Sequence, residues 1–136
     1  MALIDDIKKH EGFSSVPYKC TADKLTIGYG QRIKYLRVTK EQAEEWLKEE
    51  LSNLRYILAD KYEWFLPAPQ EVQDIVTNMA YQLGPSAFGK FKMTIKHIAN
   101  KDYDMASIEM LDSKWARTDT PRRARELSER MAKIEE

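Results

Sequence analysis

The chain contains 136 residues, of which 43% are hydrophobic and 32% are charged, as is typical of a water-soluble globular domain with its own core. Its 22 basic and 22 acidic side chains balance, which excludes a strong overall field for binding nucleic acid or an anionic membrane. The single cysteine excludes an internal disulfide and suits a reducing compartment.

The first predicted element is a short helix that ends at Gly12. Leu3, Ile4 and Ile7 form its apolar face, and a glycine at this point can form a left-handed C-cap. The segment carries too many charges for a signal peptide or a membrane anchor, and no later segment is long and apolar enough to span a membrane. We therefore expect a protein that is made in the cytoplasm and stays there until a separate factor releases it.

A β-hairpin is predicted next, with an outgoing strand near residues 18–20, a polar turn at 21–24 and a return strand at 25–30. Alternation along the return strand predicts two faces. One face carries Leu25, Ile27 and Tyr29, and the other carries Thr26, Gly28 and Gly30. A face made of one threonine and two glycines leaves room for a ligand to approach.

Helices are predicted for the rest of the chain. A capping box of Thr39 and Gln42 begins a long helix over residues 39–60, and a second long helix follows the prolines at 67 and 69 and ends at Gly84. Shorter helices are expected at about 91–99 and 102–115, and Thr120 caps a last helix that begins with Pro121. The apolar positions expected to face the core are Trp46, Leu47, Leu51, Leu54, Ile57, Leu58, Val72, Ile75, Val76, Met79, Ala80, Leu83, Trp115, Ala124, Leu127, Met131 and Ile134.

These elements predict an α+β fold that is mainly α-helical. Residues 1–38 form a small lobe with one helix and the hairpin, residues 39–60 form a linking helix, and residues 61–136 form a helical-bundle lobe. We expect the three parts to belong to one domain, with a polymer substrate bound in a cleft between the lobes.

Glu11, Cys20 and Thr26 form the motif that carries chemistry. Eight residues separate the glutamate from the cysteine, and five separate the cysteine from the threonine. This spacing resembles the catalytic signature of the phage T4-like lysozymes, the endolysin family of glycoside hydrolase family 24-type muramidases. That family normally has aspartate at the middle position and, as the resemblance implies, also tolerates cysteine.

The resemblance extends along almost the whole chain. Segments 38–44, 78–84, 89–91, 113–115 and 120–124 match landmarks of the family in order and spacing. The resemblance implies a lysozyme-like fold and hydrolysis of the β-1,4 bond between N-acetylmuramic acid and N-acetylglucosamine, without a metal or an organic cofactor. It also implies substrate-binding roles for Gly30, Tyr81, Gln82 and Thr94 and a pairing of Arg123 with Glu11 in the resting enzyme.

The chain departs from the family pattern in several places. Only residues 32–38 separate the hairpin from the long helix, where better-known members have a fuller sheet. Asp119 resembles a one-residue insertion before Thr120. Arg32 and Glu109 occupy positions that contact sugar in relatives, but neither is the expected residue type, so their role is open.

Hydrolysis of a glycoside needs a proton for the leaving oxygen and a water directed at the anomeric carbon. Glu11 suits the first task because the exposed carbonyls at a helix C-terminus disfavour an added negative charge. The alternative is a surface glutamate that happens to precede a C-cap glycine. The signature favours the catalytic acid. For Arg123, the alternative to pairing with this acid is an ordinary solvated arginine.

Thr26 can accept from and donate to one water at once, so we interpret it as a positioning group; the alternative is an ordinary strand threonine. Three roles remain open for Cys20. It replaces aspartate in orienting or deprotonating water, acts as a covalent nucleophile, or is a small buried apolar residue. The thiol, with a pKa of about 8.5, is mostly uncharged at neutral pH, and a nearby Arg or Lys can lower that pKa. The resemblance favours the first role because it implies inversion by direct water attack.

The expected partner is therefore the glycan of peptidoglycan, and the expected enzyme is a monomer that waits in the host bacterium until a holin-type pore releases it to the wall. One alternative is a cell-wall glycan-binding module with weak or no catalysis, since Cys20 replaces the usual aspartate. A nucleic-acid-binding protein that uses the basic segment 114–125 is a second alternative, which the zero net charge disfavours. His10 and His97 are isolated and predict no metal site.

Overall fold

A computed structural model describes residues 2–135 and divides the chain into two compact units, residues 1–44 and 45–136. One small antiparallel sheet accompanies helices that make up most of the described residues. The predicted fold class, α+β and mainly α-helical, is confirmed. The predicted division at residues 38 and 60 stays a prediction.

The first unit contains helix α1 (Ala2–Glu11), strands β1 (Ser14–Lys19), β2 (Leu25–Gly28) and β3 (Gln31–Arg32), and a 3₁₀ turn at Ile33–Tyr35. Gly12 ends α1 with a φ of +70°, and its N–H donates to the carbonyl of Lys8 at 2.9 Å, which confirms the predicted C-cap. The strands pair antiparallel in the order β1-β2-β3. Strand β3 is an addition to the predicted hairpin.

The face of β2 that carries Thr26 and Gly28 was expected to be open to a ligand, but in the structure it is covered. Thr26 is 2% exposed and is the one buried residue in the described part of the first unit, residues 2–44. Leu25 on the opposite face is 54% exposed. The room that the glycines leave is filled by the protein itself, because Gln31 approaches Gly28 and Glu11 approaches Gly30.

Helix α2 (Lys40–Lys61) begins with the predicted capping box. The N–H of Thr39 donates to Oε1 of Gln42 at 2.8 Å, and the N–H of Gln42 donates to Oγ1 of Thr39 at 3.1 Å. Of its predicted apolar stripe, only Leu54 and Leu58 are buried. The prediction is wrong for Trp46, Leu47 and Ile57, which are exposed. The core reaches only the C-terminal half of the helix, so the earlier turns of the stripe do not contribute to it.

The second unit contains α2 from Glu45 onward and helices α3 (Gln70–Leu83), α4 (Pro85–Phe88), α5 (Lys92–Ala99), α6 (Tyr103–Leu111) and α7 (Pro121–Ala132). Helix α3 is central, since most of its predicted apolar face is buried. The core consists of Leu54, Leu58, Phe65, Val72, Ile75, Val76, Met79, Ala80, Phe88, Ile98, Tyr103, Ala106, Met110, Trp115, Ala124, Leu127 and Met131. Of the other predicted core positions, Leu51, Leu83 and Ile134 are half-buried.

The chain between α6 and α7 differs from the prediction. Helix α6 ends at Leu111, and Trp115–Asp119 form a separate π-helical turn. The N–H of Thr120 donates to the carbonyl of Trp115, five residues earlier, at 2.9 Å. A π turn holds one residue more than an α turn, so it accommodates the insertion that the sequence suggests at Asp119. Within residues 2–135, no helix is long and apolar enough to cross a membrane.

Candidate active site

Glu11 lies at the end of α1 with its carboxyl group against Gly30. A Cβ atom placed on Gly30 would lie 2.5 Å from Oε2 of Glu11 and 2.8 Å from its Cδ. Gly30 also has a φ of +77°, so glycine is needed there both for its backbone conformation and for the space. Glu11 is exposed and borders a cavity of about 300 Å³, together with Gly12, Phe13, Ser14 and Tyr18. The helix end and the glycine together place the carboxyl group beside open space.

Thr26 lies at the centre of the small sheet, between Tyr18 on β1 and Arg32 on β3. Its Oγ1 donates to the carbonyl of Lys24 at 2.9 Å. That bond uses the single hydroxyl proton and leaves the oxygen lone pairs free to accept. The side chain is therefore a buried acceptor in a fixed orientation.

Cys20 follows β1 and opens the turn that leads into β2. Its N–H donates to the carbonyl of Lys24 at 3.0 Å, and its own carbonyl accepts from the N–H of Asp23 at 2.8 Å. The residue is half-buried, and its thiol is free. The turn therefore holds the cysteine by its backbone and leaves the sulfur available for chemistry.

Four groups lower the pKa of the Cys20 thiol below its usual range. The largest effect comes from a hydrogen bond with the backbone of Lys24, and the next from the backbone of Ala22, while burial acts in the opposite direction. The hydroxyl of Thr26 and the charge of Arg32 add smaller contributions. The expectation of a nearby basic residue is thus met by Arg32, but the turn amides contribute more. Because the Thr26 hydroxyl has one proton, bonding to the thiolate and bonding to Lys24 are alternatives.

The first unit therefore assembles two groups of predicted residues: Glu11 with Gly30, and Cys20 with Thr26. The amides of Lys24 and Ala22 in the turn give no signal in the sequence, because backbone groups have no side-chain signature. Arg32 is a departure from the family pattern, but its charge acts on Cys20. Its pairing opposite Thr26 places it there, on a strand of two residues that is too short to show an alternating pattern in the sequence.

The other predicted site residues lie in the second unit, and their roles stay predictions. Arg123 is held by Asn78, whose Oδ1 accepts from Nε at 2.9 Å and from a terminal guanidinium nitrogen at 2.6 Å. Tyr81 is exposed beside a cavity of about 380 Å³ that Arg123 also borders. The pairing of this arginine with Glu11 stays a prediction as well.

Thr94 and Gln82 lie near the π turn. Thr94 is buried and borders a cavity of about 650 Å³, together with Glu109 and Trp115. Gln82 accepts from Nε1 of Trp115 at 2.9 Å and donates to Oγ1 of Thr120 at 3.0 Å. Within residues 2–135, no cluster of His, Cys, Asp and Glu side chains is arranged to hold a metal ion.

Known proteins resemble this chain both at the level of a family and in an individual relative. The family model described as phage lysozyme matches residues 8–133, nearly the whole chain. A protein named endolysin from Acyrthosiphon pisum secondary endosymbiont phage 1 is 29% identical over 114 residues, which cover 82% of this chain and 75% of that protein. The family match includes Glu11, Cys20 and Thr26.

Proposed function

The chain belongs to the phage lysozyme family, and from this premise we propose that it cleaves the β-1,4 bond between N-acetylmuramic acid and N-acetylglucosamine in peptidoglycan. Membership places the chain among the peptidoglycan hydrolases. The particular bond, the stereochemistry and the residue roles are our proposal. The observation that supports them most is the carboxyl group of Glu11, which lies against Gly30 beside an open cavity.

In this mechanism Glu11 is the general acid. Its carboxyl proton passes to the glycosidic oxygen as the bond from that oxygen to the anomeric carbon breaks. Gly30 lets the carboxyl group lie close to the backbone of the turn between β2 and β3, where any side chain would displace it. Correct placement of the proton donor is the main contribution of the helix end.

Cys20 and Thr26 act on the water that attacks the anomeric carbon. Thr26 accepts a hydrogen bond from this water, since its own proton is used by Lys24. The lowered pKa of the Cys20 thiol favours the thiolate, which accepts the water's other hydrogen and takes that proton as the new bond between carbon and oxygen forms. Because water attacks from the side opposite the leaving group, the product has the inverted anomeric configuration.

We further propose that the enzyme acts on the wall as a monomer, after a holin-type pore releases it from the host cytoplasm. This part of the proposal extends from the family alone. Neither nucleic acid nor membrane insertion has a role in it.

A turbidity assay on permeabilised Gram-negative cells tests the function. Glu11→Gln should reduce lysis to about one hundredth of wild type or less, because the amide has no acidic proton. Asp6→Asn is the matched control, because it also replaces a carboxyl group with an amide, at an exposed position of the same helix. This variant should lyse cells normally. A Glu11→Gln variant with more than about a tenth of wild-type activity would remove Glu11 from its proposed role. Sedimentation with purified peptidoglycan but no lysis by wild type would instead support a glycan-binding module.

A further inference from the structure

Gln82 connects the two ends of the π turn. The turn begins at Trp115, whose indole N–H donates to Oε1 of Gln82 at 2.9 Å. Thr120 follows the turn, and its Oγ1 accepts from Nε2 of Gln82 at 3.0 Å. One amide side chain on α3 is thus held at both of its polar atoms by residues 33 and 38 positions further along the chain.

The chemistry of these partners fixes the orientation of the amide. An indole nitrogen can only donate, so the atom of Gln82 that faces Trp115 must be the oxygen. The amide nitrogen therefore faces Thr120, whose hydroxyl oxygen can accept. The reverse orientation would place two donors against each other. Trp115 is buried and has little freedom to move, so the amide plane is fixed as well.

The hydroxyl of Thr120 bonds to Gln82 and does not cap the helix that follows it. It precedes α7 at the position where a threonine hydroxyl normally accepts from a backbone N–H of the first turn, yet its side chain makes no such bond. The π turn, with the N–H of Thr120 bonded to the carbonyl of Trp115, brings the hydroxyl to Gln82 instead. The extra residue at Asp119 thus has a structural consequence for a predicted substrate-binding residue.

We propose that Trp115 and Thr120 are positioning residues that orient Gln82 to bind a secondary amide group of the substrate. This inference rests on the proposed function. A side-chain amide has two N–H donors and two acceptor lone pairs, and each of its polar atoms has one protein partner. One donor and one lone pair remain on a half-buried side chain. They match the carbonyl and the N–H of a secondary amide, a group present both in the acetamido substituents of the glycan and in the stem peptide.

Steady-state kinetics on soluble peptidoglycan fragments test the positioning role. Thr120→Val should raise KM about three- to tenfold, the effect of one lost hydrogen bond, and leave kcat within about twofold of wild type. Thr120→Ser, which keeps the hydroxyl, should restore KM. Thr118→Val is the matched control, because Thr118 lies in the same turn and, among the described residues, its hydroxyl bonds to Lys114 and Asp119 and not to Gln82. An unchanged KM in Thr120→Val, or an equal rise in Thr118→Val, would overturn the proposal.

Binding without turnover identifies which amide is bound and separates this inference from the proposed function. The indole N–H resonance of Trp115 is followed by NMR as wild type is titrated with chitotriose, which has acetamido groups only, or with a stem tetrapeptide, which has peptide bonds only. The ligand that shifts this resonance should bind about three- to tenfold more weakly to Thr120→Val. A shift with neither ligand overturns the inference even if the enzyme lyses cells. A shift that weakens in the variant supports it even if wild type fails to lyse them.

Discussion

The two units of the molecule are ordered by different means. In the second unit, an extended apolar core orders the helices around α3. In the first unit, Thr26 is the one described residue that is buried, and a large apolar side chain such as Phe13 is 67% exposed. Order there comes from a helix cap, a three-stranded ladder and tight turns.

The residues that stabilise the fold by apolar burial and the residues proposed for the chemistry therefore lie in different units. The proposed acid, the cysteine and the threonine all belong to the first unit, where few side chains contribute apolar burial. Substitutions there should change turnover more than the free energy of unfolding, and substitutions in the core of the second unit should do the reverse. Four predictions examine this separation.

The largest effect on stability is expected from Phe88→Ala. Phe88 is fully buried and packs against the rings of Tyr62 and Phe91. Loss of the ring should lower the free energy of unfolding by about 3–5 kcal/mol, as measured by urea denaturation. Phe13→Ala in the first unit is the control and should cost no more than about 1 kcal/mol, the value of its ring contact with Tyr29. Equal losses in the two variants would contradict the separation.

Thr26→Val should instead lower turnover strongly and the free energy of unfolding only slightly. We expect turnover to fall about a hundredfold, or roughly 2.7 kcal/mol in the activation barrier, because valine cannot accept a hydrogen bond from the attacking water. The free energy of unfolding should change by about 1 kcal/mol or less, since valine suits a strand and the carbonyl of Lys24 keeps the N–H of Cys20 as a donor. Initial rates and urea denaturation of the same preparation give both values. A fully active variant would make the hydroxyl incidental.

Cys20 is tested by substitution and by pH. The lowered pKa of its thiol keeps the thiolate to lower pH than usual, so activity that needs the thiolate is complete above that pKa and is lost as pH falls through it. Cys20→Asp should retain activity and extend it to lower pH, because an aspartate ionises near pH 4. Cys20→Ala should lose most activity, about tenfold or more.

The other two roles of Cys20 predict different results. A nucleophilic cysteine would form a glycosyl-enzyme adduct visible by mass spectrometry and would retain the anomeric configuration. A cysteine that serves only in packing would leave Cys20→Ala active. Proton NMR of the first product distinguishes inversion from retention, and an inverted product is expected.

Local sequence signals predicted the boundaries of several elements. The glycine at 12 and the capping box of Thr39 and Gln42 act through neighbouring backbone groups, so short motifs suffice to place them. The core of α3 followed from its helical period. Strand β3 was missed because two residues, Gln31 and Arg32, are too short to show an alternating pattern.

Features that depend on distant partners were beyond prediction. The apolar period of α2 could not reveal that the core stops short of Trp46. The contacts of Gln82 join it to residues far along the chain, and a π turn changes hydrogen bonding without changing composition. For the site, the residue types Glu11, Cys20 and Thr26 were recognisable from the sequence. The lowered pKa of the thiol was not, because it depends mainly on where two turn amides point.

The smallest effect is expected at the capping box, where the N-terminal turn of α2 belongs to the first unit and most of the helix to the second. Thr39→Ala removes the oxygen that accepts from the N–H of Gln42, an exposed group that water can satisfy in its place. The free energy of unfolding should therefore fall by about 1 kcal/mol, with turnover unchanged. Thr39→Ser keeps the acceptor and should be nearly neutral. If Thr39→Ala instead reduced turnover as strongly as Thr26→Val, the start of this helix would influence the chemistry, and stability and catalysis would not divide between the two units.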